Sequence, residues 1–543
     1  MTADFSKLGR LTLEPESKDW DIIVVGSGHN GLTTAAYLAA AGKKVLVLER
    51  ASYAGGGVAG LQMAEEGFIS ERHSAIHQMI LANPLIANDE LGLQAKYGLK
   101  YLQLDPCYAI VMEDRVLPIY RERHRTVEAI REAAPEDADA YEKFVDTSRK
   151  ITDLLMPSMF EPPRDTSAEI ASSGFAEEIA TVGASSSLDI IQRYFKNENL
   201  QVALLRFVTE IQLAHPTTKG TGLMVYLAFG LVDRYGLAVP EGSGTAFTEP
   251  VIRCIKDHGG DIKLDTEVIK VITENGRAVG VRTHFGELRA REAVVGQIHP
   301  HKLDQLVDGL DESVTAAALQ TRVSEFTLFV IHAALERPLK FKAGPLADRS
   351  VMNTCCPGTL KDLLKSYDDM ALGLLPEKIM IGASCVSSAD PTRCPPGKSL
   401  LHCVVMCKAE PADGGWEGWD RRRDDWVQKV FAYFSKYLDN FTPDIVRSYH
   451  AVAPPDHQSD SPSFQRGDIC GLSMAADQMG LSRPTPALAQ YRVPGVKGLY
   501  LAGPFMHPGG GVWGGGRAVA KRVMEDLGLD FDKTFVAKSS AHL

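Results

Sequence analysis

Two glycine-rich stretches, at opposite ends of the chain, have the residue types and spacing to hold phosphate. The first is Gly26-Ser27-Gly28-His29-Asn30-Gly31. In such a stretch Gly26 allows a tight turn off a strand, Gly28 lets the backbone approach a pyrophosphate, and Gly31 lets a helix pack closely on a sheet. The helix then aims free N–H groups and its positive dipole end at the phosphates. Glu49 follows about 20 residues later, where a carboxylate can accept both hydroxyls of a ribose; Arg50 follows it, and then Gly55-Gly56-Gly57. The second stretch is Gly503-Pro504, then Pro508-Gly509-Gly510-Gly511-Val512-Trp513-Gly514-Gly515-Gly516. Three histidines are candidate proton acceptors near neutral pH: His77, His215 and His507, with His507 immediately before the second glycine run. His29 and Asn30 read as loop-shaping or cofactor contacts.

The elements that must position these residues are legible around them. Asp21-Ile22-Ile23-Val24-Val25 reads as a short buried strand, Leu32 to Ala41 as a helix, and Lys44 to Leu48 as a second strand closed by Glu49. Strand, glycine turn, helix, strand and acid in that order form a dinucleotide-binding unit. A site assembled from both ends of a long chain, with a glycine run after the acid, points to FAD rather than a modular NAD domain. The C-terminal glycines and a helix from Arg517 can set N–H groups against the flavin edge, where negative charge develops on hydride arrival. Only one full fingerprint is present, because Gly242-Ser243-Gly244 has no third glycine, and there is no redox CxxxxC motif. Removal of hydride from a substrate, with oxygen or a quinone reoxidising the flavin, is favoured over a disulfide-reductase scheme.

The segments DIIVVGSGHNGLTTAAYLAAAGKKVLVLERASYAGGG and GLYLAGPFMHPGGGVWGGGRAVA resemble the phytoene-desaturase-related family of FAD-dependent oxidoreductases, within the wider amine-oxidase-like superfamily. Pro240-Glu241-Gly242-Ser243-Gly244 and the stretch from Gly259 to Val268 are similar to that family's second FAD segment, in which Val268 would offer backbone groups to the adenine. The resemblance implies an α/β fold: a discontinuous Rossmann-type FAD-binding domain interleaved with an α+β substrate domain. Residues 20–70, 239–300 and 490–527 would build the FAD domain. Residues 71–238 and 301–489 would build the substrate domain, leaving 1–19 and 528–543 as terminal extensions. It also implies cofactor contacts at Gly26, Gly28, His29, Asn30, Gly31, Glu49, Arg50, Gly55, Gly56, Gly57, Val268, Gly503, Pro504, Gly511 and Val512. Three positions depart from the family pattern. Pro504 stands where many superfamily members carry Asp, Gly57 where an arginine is common, and Trp513 where a small residue is usual. An indole facing the isoalloxazine would narrow the cavity toward compact substrates; the alternative is that Trp513 packs behind the loop.

The first insertion reads as helical over Arg123 to Glu132, Pro135 to Leu155 and Leu188 to Gln212. The second has strand-like runs from Phe326 to Ala334 and Leu400 to Cys407, and a helix near Trp416 to Leu438. A formal charge of −11 without a basic cluster argues against nucleic acid as a partner. The first 20 residues lack a signal-peptide core, and no stretch reaches the roughly 18 apolar residues of a membrane span. Membrane contact is at most peripheral, with Leu154–Phe160 as its best candidate, and a buried or cavity-lining loop as the other reading. Nine cysteines and no export signal suggest a reducing, cytoplasmic setting with thiols in apolar packing and no metal site. The function expected is an FAD-dependent desaturase acting on a small apolar or alicyclic substrate. Alternatives are an amine or alcohol oxidase, an FAD-dependent isomerase, or a non-catalytic flavoprotein. The oligomeric state stays open.

Overall fold

The computed structural model describes residues 20–536, so the expected extensions 1–19 and the end of 528–543 fall outside the described residues. Trp20–Val25 lies at the centre of a seven-stranded sheet. It pairs in parallel with Val45–Leu48 on one side and with the second half of Gly286–Gly296 on the other. Asp261–Lys263 extends the sheet beyond Val45–Leu48, and Leu499–Leu501 pairs in parallel with Gly286–Gly296. The first half of that long strand instead forms an antiparallel ribbon with Arg277–Thr283 and Val268–Glu274. Strands from the start, middle and end of the chain therefore share one sheet. Val24, Val47 and Val295 lie in register at its fully buried centre, as expected of a parallel sheet covered on both faces.

The second seven-stranded sheet runs in the order Val446–Val452, Thr327–Leu335, Ser399–Cys407, Ile381–Ser384, Met352–Cys355, Tyr108–Val111, Val116–Ile119. Its pairs are antiparallel except that between Met352–Cys355 and Tyr108–Val111. Trp419–Phe434 covers one face through Trp419, Trp426, Val427 and Val430. Helices of the first insertion, among them Ala138–Met159, Glu198–Gln212 and Gly222–Tyr235, form a separate apolar cluster with Tyr108, Ile110 and Met406.

Two helical expectations need correction. The run from Leu188 to Gln212 is two helices, Ser187–Tyr194 and Glu198–Gln212. The Asp137 carboxylate accepts the backbone N–H groups of Lys196 and Asn197 at 2.7–3.0 Å, and the Asn197 side chain caps the second helix. Those N–H groups are withdrawn from helix pairing, which breaks the run. The helix beginning after Pro135 runs to Met159, so Leu154–Phe160 is mostly its last turn rather than a loop, with Leu155, Met156 and Phe160 buried.

All nine cysteines are buried free thiols. Among the described residues no helix is long and apolar enough to cross a membrane, and no group of His, Cys, Asp or Glu is placed to hold a metal.

Candidate active site

The helix His29–Ala40 starts where the sequence turns at Gly26, whose φ of +91° is a backbone shape that side-chain-bearing residues resist. The turn opens into a cavity of about 620 Å³. Of the expected cofactor residues, Gly26, Gly28, His29, Asn30, Glu49, Arg50, Gly56, Gly57, Val268, Pro504, Gly511 and Val512 line it. Gly31, Gly55 and Gly503 lie behind this lining, in the turn and packing that shape it. Glu49 accepts hydrogen bonds from the Ser27 N–H at 2.8 Å, the Ser27 hydroxyl at 2.7 Å and the Ala51 N–H at 2.8 Å. It thus braces the glycine turn while remaining in the cavity wall. Thr266, Val268, Lys302 and Gln305 also line the cavity, and the Thr266 N–H donates to the Glu49 carbonyl at 2.7 Å.

The two ends of the chain are bonded to one another around this cavity. Asn83 donates its amide to the carbonyls of Trp513 at 2.8 Å and Gly514 at 3.1 Å, and the Thr34 hydroxyl reaches the Gly516 carbonyl at 3.1 Å. A side chain at Gly516 would lie 2.1 Å from the Asn30 carbonyl, so only glycine lets the helix Gly516–Asp526 approach His29–Ala40 this closely. Next to it the buried Arg517 makes a bidentate pair with Glu90 at 2.8 and 2.9 Å, and reaches Glu161 at 2.8 Å.

The residues present fit FAD on observations of the fold itself. Buried polar atoms without partners, His29 Nε2, Asn30 Oδ1 and Gln297 Nε2, cluster at the glycine turn. Arg50, Arg72 and Lys302 bring cations to the same wall, as a pyrophosphate requires. Burial holds His29 down to about pKa 4, partly offset by the Gly511 backbone, so the ring there is neutral.

The four side chains expected to act in catalysis are not brought together, and none lines the cavity. His507 is buried and donates from Nε2 to the Ser158 carbonyl at 3.1 Å; burial pushes it down to about 4. His77 is bonded to the Tyr101 hydroxyl at 2.8 Å and burial pushes it to about 3. His215 bonds Thr217 at 2.7 Å and faces Asp368 at 3.3 Å. Trp513 packs behind the loop: its indole N–H donates to the Gly510 carbonyl at 2.8 Å and its ring sits 6.4 Å from that of Phe160, inside the helical cluster. The indole–carbonyl bond closes the loop on itself and turns the ring away, which corrects the expectation that Trp513 narrows the cavity.

Other residues take the wall. Gly57 faces His73 and Phe464, and Gly510 lies against Cys470. Met79, Ile211, Leu213, Leu328 and Ile469 give the cavity an apolar share of its wall, and Glu210 is one of the carboxylates that line it. Glu210 accepts from the Thr354 hydroxyl at 2.9 Å and lies 3.4 Å from the buried Arg206. His73 and Glu210 carried no motif; the only sequence signal was that His73 trails the first glycine segment and Glu210 sits in an apolar helix.

A family model described as flavin containing amine oxidoreductase matches residues 31–524. One component of the limonene dehydrogenase of Castellaniella defragrans is 27% identical over 95% of this chain and 96% of its own length. The 4,4'-diapophytoene desaturase of a Methylomonas species is 23% identical over 90% of this chain and 92% of its own. The solved structure of wild-type putrescine oxidase with putrescine aligns with a TM-score of 0.59 at 14% identity, covering 94% of this chain and 99% of that one.

Proposed function

Because the chain belongs to the flavin containing amine oxidoreductase family and is an FAD-dependent oxidoreductase, we propose that it dehydrogenates a small apolar or alicyclic substrate, leaving a carbon–carbon double bond. The observation that carries this reading is the wall formed by Met79, Ile211, Leu213, Leu328 and Ile469 beside the Gly510–Val512 loop. It offers an unsaturated or saturated hydrocarbon dispersion contact and few hydrogen bonds. The names of the two sequence relatives, a limonene dehydrogenase component and a diapophytoene desaturase, support the same chemistry.

Gly26, Gly28, His29 and Asn30 would hold the pyrophosphate, Glu49 the ribose, Val268 the adenine, and Gly56, Gly57, Gly511 and Val512 the flavin. FAD supplies the hydride acceptor, with oxygen or a quinone as the terminal oxidant. The apolar wall would orient the substrate and exclude water from the reacting carbon.

The test is anaerobic bleaching of the FAD-loaded protein by limonene, cyclic ketones, a short carotenoid and putrescine in parallel. Bleaching by the apolar compounds is expected. Bleaching by putrescine alone, or rapid stoichiometric bleaching by NADPH with no other substrate, would overturn the reading.

A further inference from the structure

The largest fully buried side chains include three arginines, Arg206, Arg393 and Arg483. Arg206 lies 3.4 Å from the Glu210 carboxylate, and Arg393 pairs with Glu71 and Asp390. Arg483 differs: among the described residues no carboxylate is ion-paired with its guanidinium. Its N–H groups donate to main-chain carbonyls. Nε reaches Met506 at 3.2 Å, and Nη1 reaches Ser473 at 2.8 Å and Gln478 at 3.4 Å. Nη2 reaches Pro504 at 2.9 Å, Leu472 at 3.2 Å and Cys470 at 3.5 Å. Pro504 and Cys470 line the cavity, and a side chain added at Gly509 would meet the guanidinium carbon at 3.5 Å. Arg483 therefore sits one layer behind the wall, beside the loop that carries Gly511 and Val512.

Carbonyl partners satisfy the N–H groups but leave the charge without an ion to balance it, which is unfavourable in a protein interior. Burial pushes Arg483 down to about 10, against the attraction of Asp468, so it remains a cation at neutral pH. Asp468 is itself buried, and its two oxygens are taken by the N–H groups of Ser324 at 2.7 Å and Cys470 at 2.8 Å. Two acceptor oxygens are what an ionised carboxylate offers. The other titratable groups that feel Arg483 are neutral. Burial holds His299 down to about 3 and His507 to about 4, and pushes the Cys470 thiol up. A negative charge arriving on the cavity side would complete the balance.

We propose that Arg483 poises the flavin: its buried charge favours the reduced cofactor over the oxidised one and so raises the reduction potential. This rests on the placing of the flavin along Gly511 and Val512 in the reading above, and not on which substrate is oxidised. A hydride brings two electrons and one proton, so its arrival leaves the flavin one negative charge richer. In a low-dielectric interior, a cation behind the wall attracts that added charge with little screening. The oxidised ring system is uncharged and gains nothing comparable. Arg483 does not itself line the cavity. It is a positioning residue, which fixes Pro504 and Cys470 by hydrogen bonds and sets the electron affinity through the wall.

The test is a potentiometric titration of the FAD-loaded protein, reduced anaerobically by xanthine and xanthine oxidase against a reference dye. In Arg483→Met the equilibrium constant for two-electron reduction should fall about tenfold or more, a potential lower by about 30 mV. Arg483→Lys keeps the charge with fewer hydrogen bonds. Its constant should stay within about threefold of the wild type while the melting temperature drops. Asp468→Asn removes the opposing charge and should raise the constant about threefold or more. The surface variant Arg131→Met should leave it where it is. An unmoved constant in Arg483→Met, with FAD bound and the melting temperature lowered, makes the residue a hydrogen-bond hub alone and overturns the inference. If Arg483→Met loses FAD, Asp468→Asn decides, and a constant that stays or falls overturns it. Val512→Thr checks the placing of the flavin through its visible absorption bands. Unchanged bands and FAD affinity would remove the placing and the inference together. Bands that move while the Arg483 and Asp468 variants do not would remove the inference alone. The substrate panel tests the dehydrogenase reading separately, since xanthine supplies the electrons here.

Discussion

At the scale of single residues, Glu49 and Trp513 have opposite histories. Glu49 stands where the strand–turn–helix–strand order puts it, because the motif is local in sequence and its geometry follows from backbone rules. Its bonds to Ser27 and Ala51 make it both a brace and a cavity residue. Glu49→Ala should weaken FAD binding roughly tenfold to a hundredfold, from loss of a charged hydrogen bond worth about 1.5–3 kcal/mol. Titration of apoprotein with FAD measures it, and an unchanged affinity would remove Glu49 from the site. Trp513 could not be oriented from sequence, since the choice depends on Gly510 and Phe160, the latter more than 300 residues away in the chain. With the indole buried, Trp513→Gly should cost about 3–5 kcal/mol of stability as a large-to-small core change. Substrate size preference should stay as it is; a lowered melting temperature with an unaltered substrate profile is the expected pair of results. His73 and Glu210 were illegible for the same reason: a lone histidine or glutamate gains meaning only from the distant chain that meets it.

At the scale of elements, the glycine turn, the strands on either side of it and the helices with clear apolar spacing follow from local pattern, whereas five of the seven strands of the second sheet and the joints between segments do not. The break at Lys196 depends on Asp137, about 60 residues earlier. A second joint is the fully buried Arg393, which pairs with Glu71 at 2.6 Å and Asp390 at 2.7 Å, and donates to the Pro240 carbonyl at 3.0 Å. Glu71 also accepts from the Gly244 N–H, and Asp390 from the Gly242 N–H at 2.7 Å. One guanidinium thereby ties the 240–244 turn to both insertions. Burial pushes the Glu71 carboxyl up while Arg393 pulls it down. Arg393→Met leaves two buried carboxyls uncompensated and should destabilise by about 3–5 kcal/mol. Adding Glu71→Gln and Asp390→Asn should restore part of this; denaturant midpoints of the single and triple variants decide it. No restoration would mean that Arg393 matters by packing rather than by charge.

At the scale of the whole molecule, buried neutral histidines give acid sensitivity a definite direction. His29, His402, His457 and His507 are all held down to about 4 by burial. Each takes up a proton in the unfolded chain below its ordinary value near 6.5 but resists it in the folded one. Stability is therefore complete above about pH 6.5 and is lost as pH falls toward 4, by up to about 3 kcal/mol per residue. Denaturant midpoints at pH 7, 6 and 5 should fall in that order, and a flat series would mean that these rings are protonated or solvated in the folded protein. The sheet in which Trp20–Val25 and Leu499–Leu501 flank the same strand has a further bearing, on how the protein is made. During synthesis the first glycine turn emerges long before the loop at Gly511, an interval on the order of half a minute or more at ordinary ribosomal speed. Through that interval the nascent chain has a nucleotide turn with no opposite wall, and FAD capture must wait for the final segment. Ribosome-bound chains stalled before Gly503 should fail to retain FAD, and capture should begin only once Gly516–Asp526 has cleared the exit tunnel.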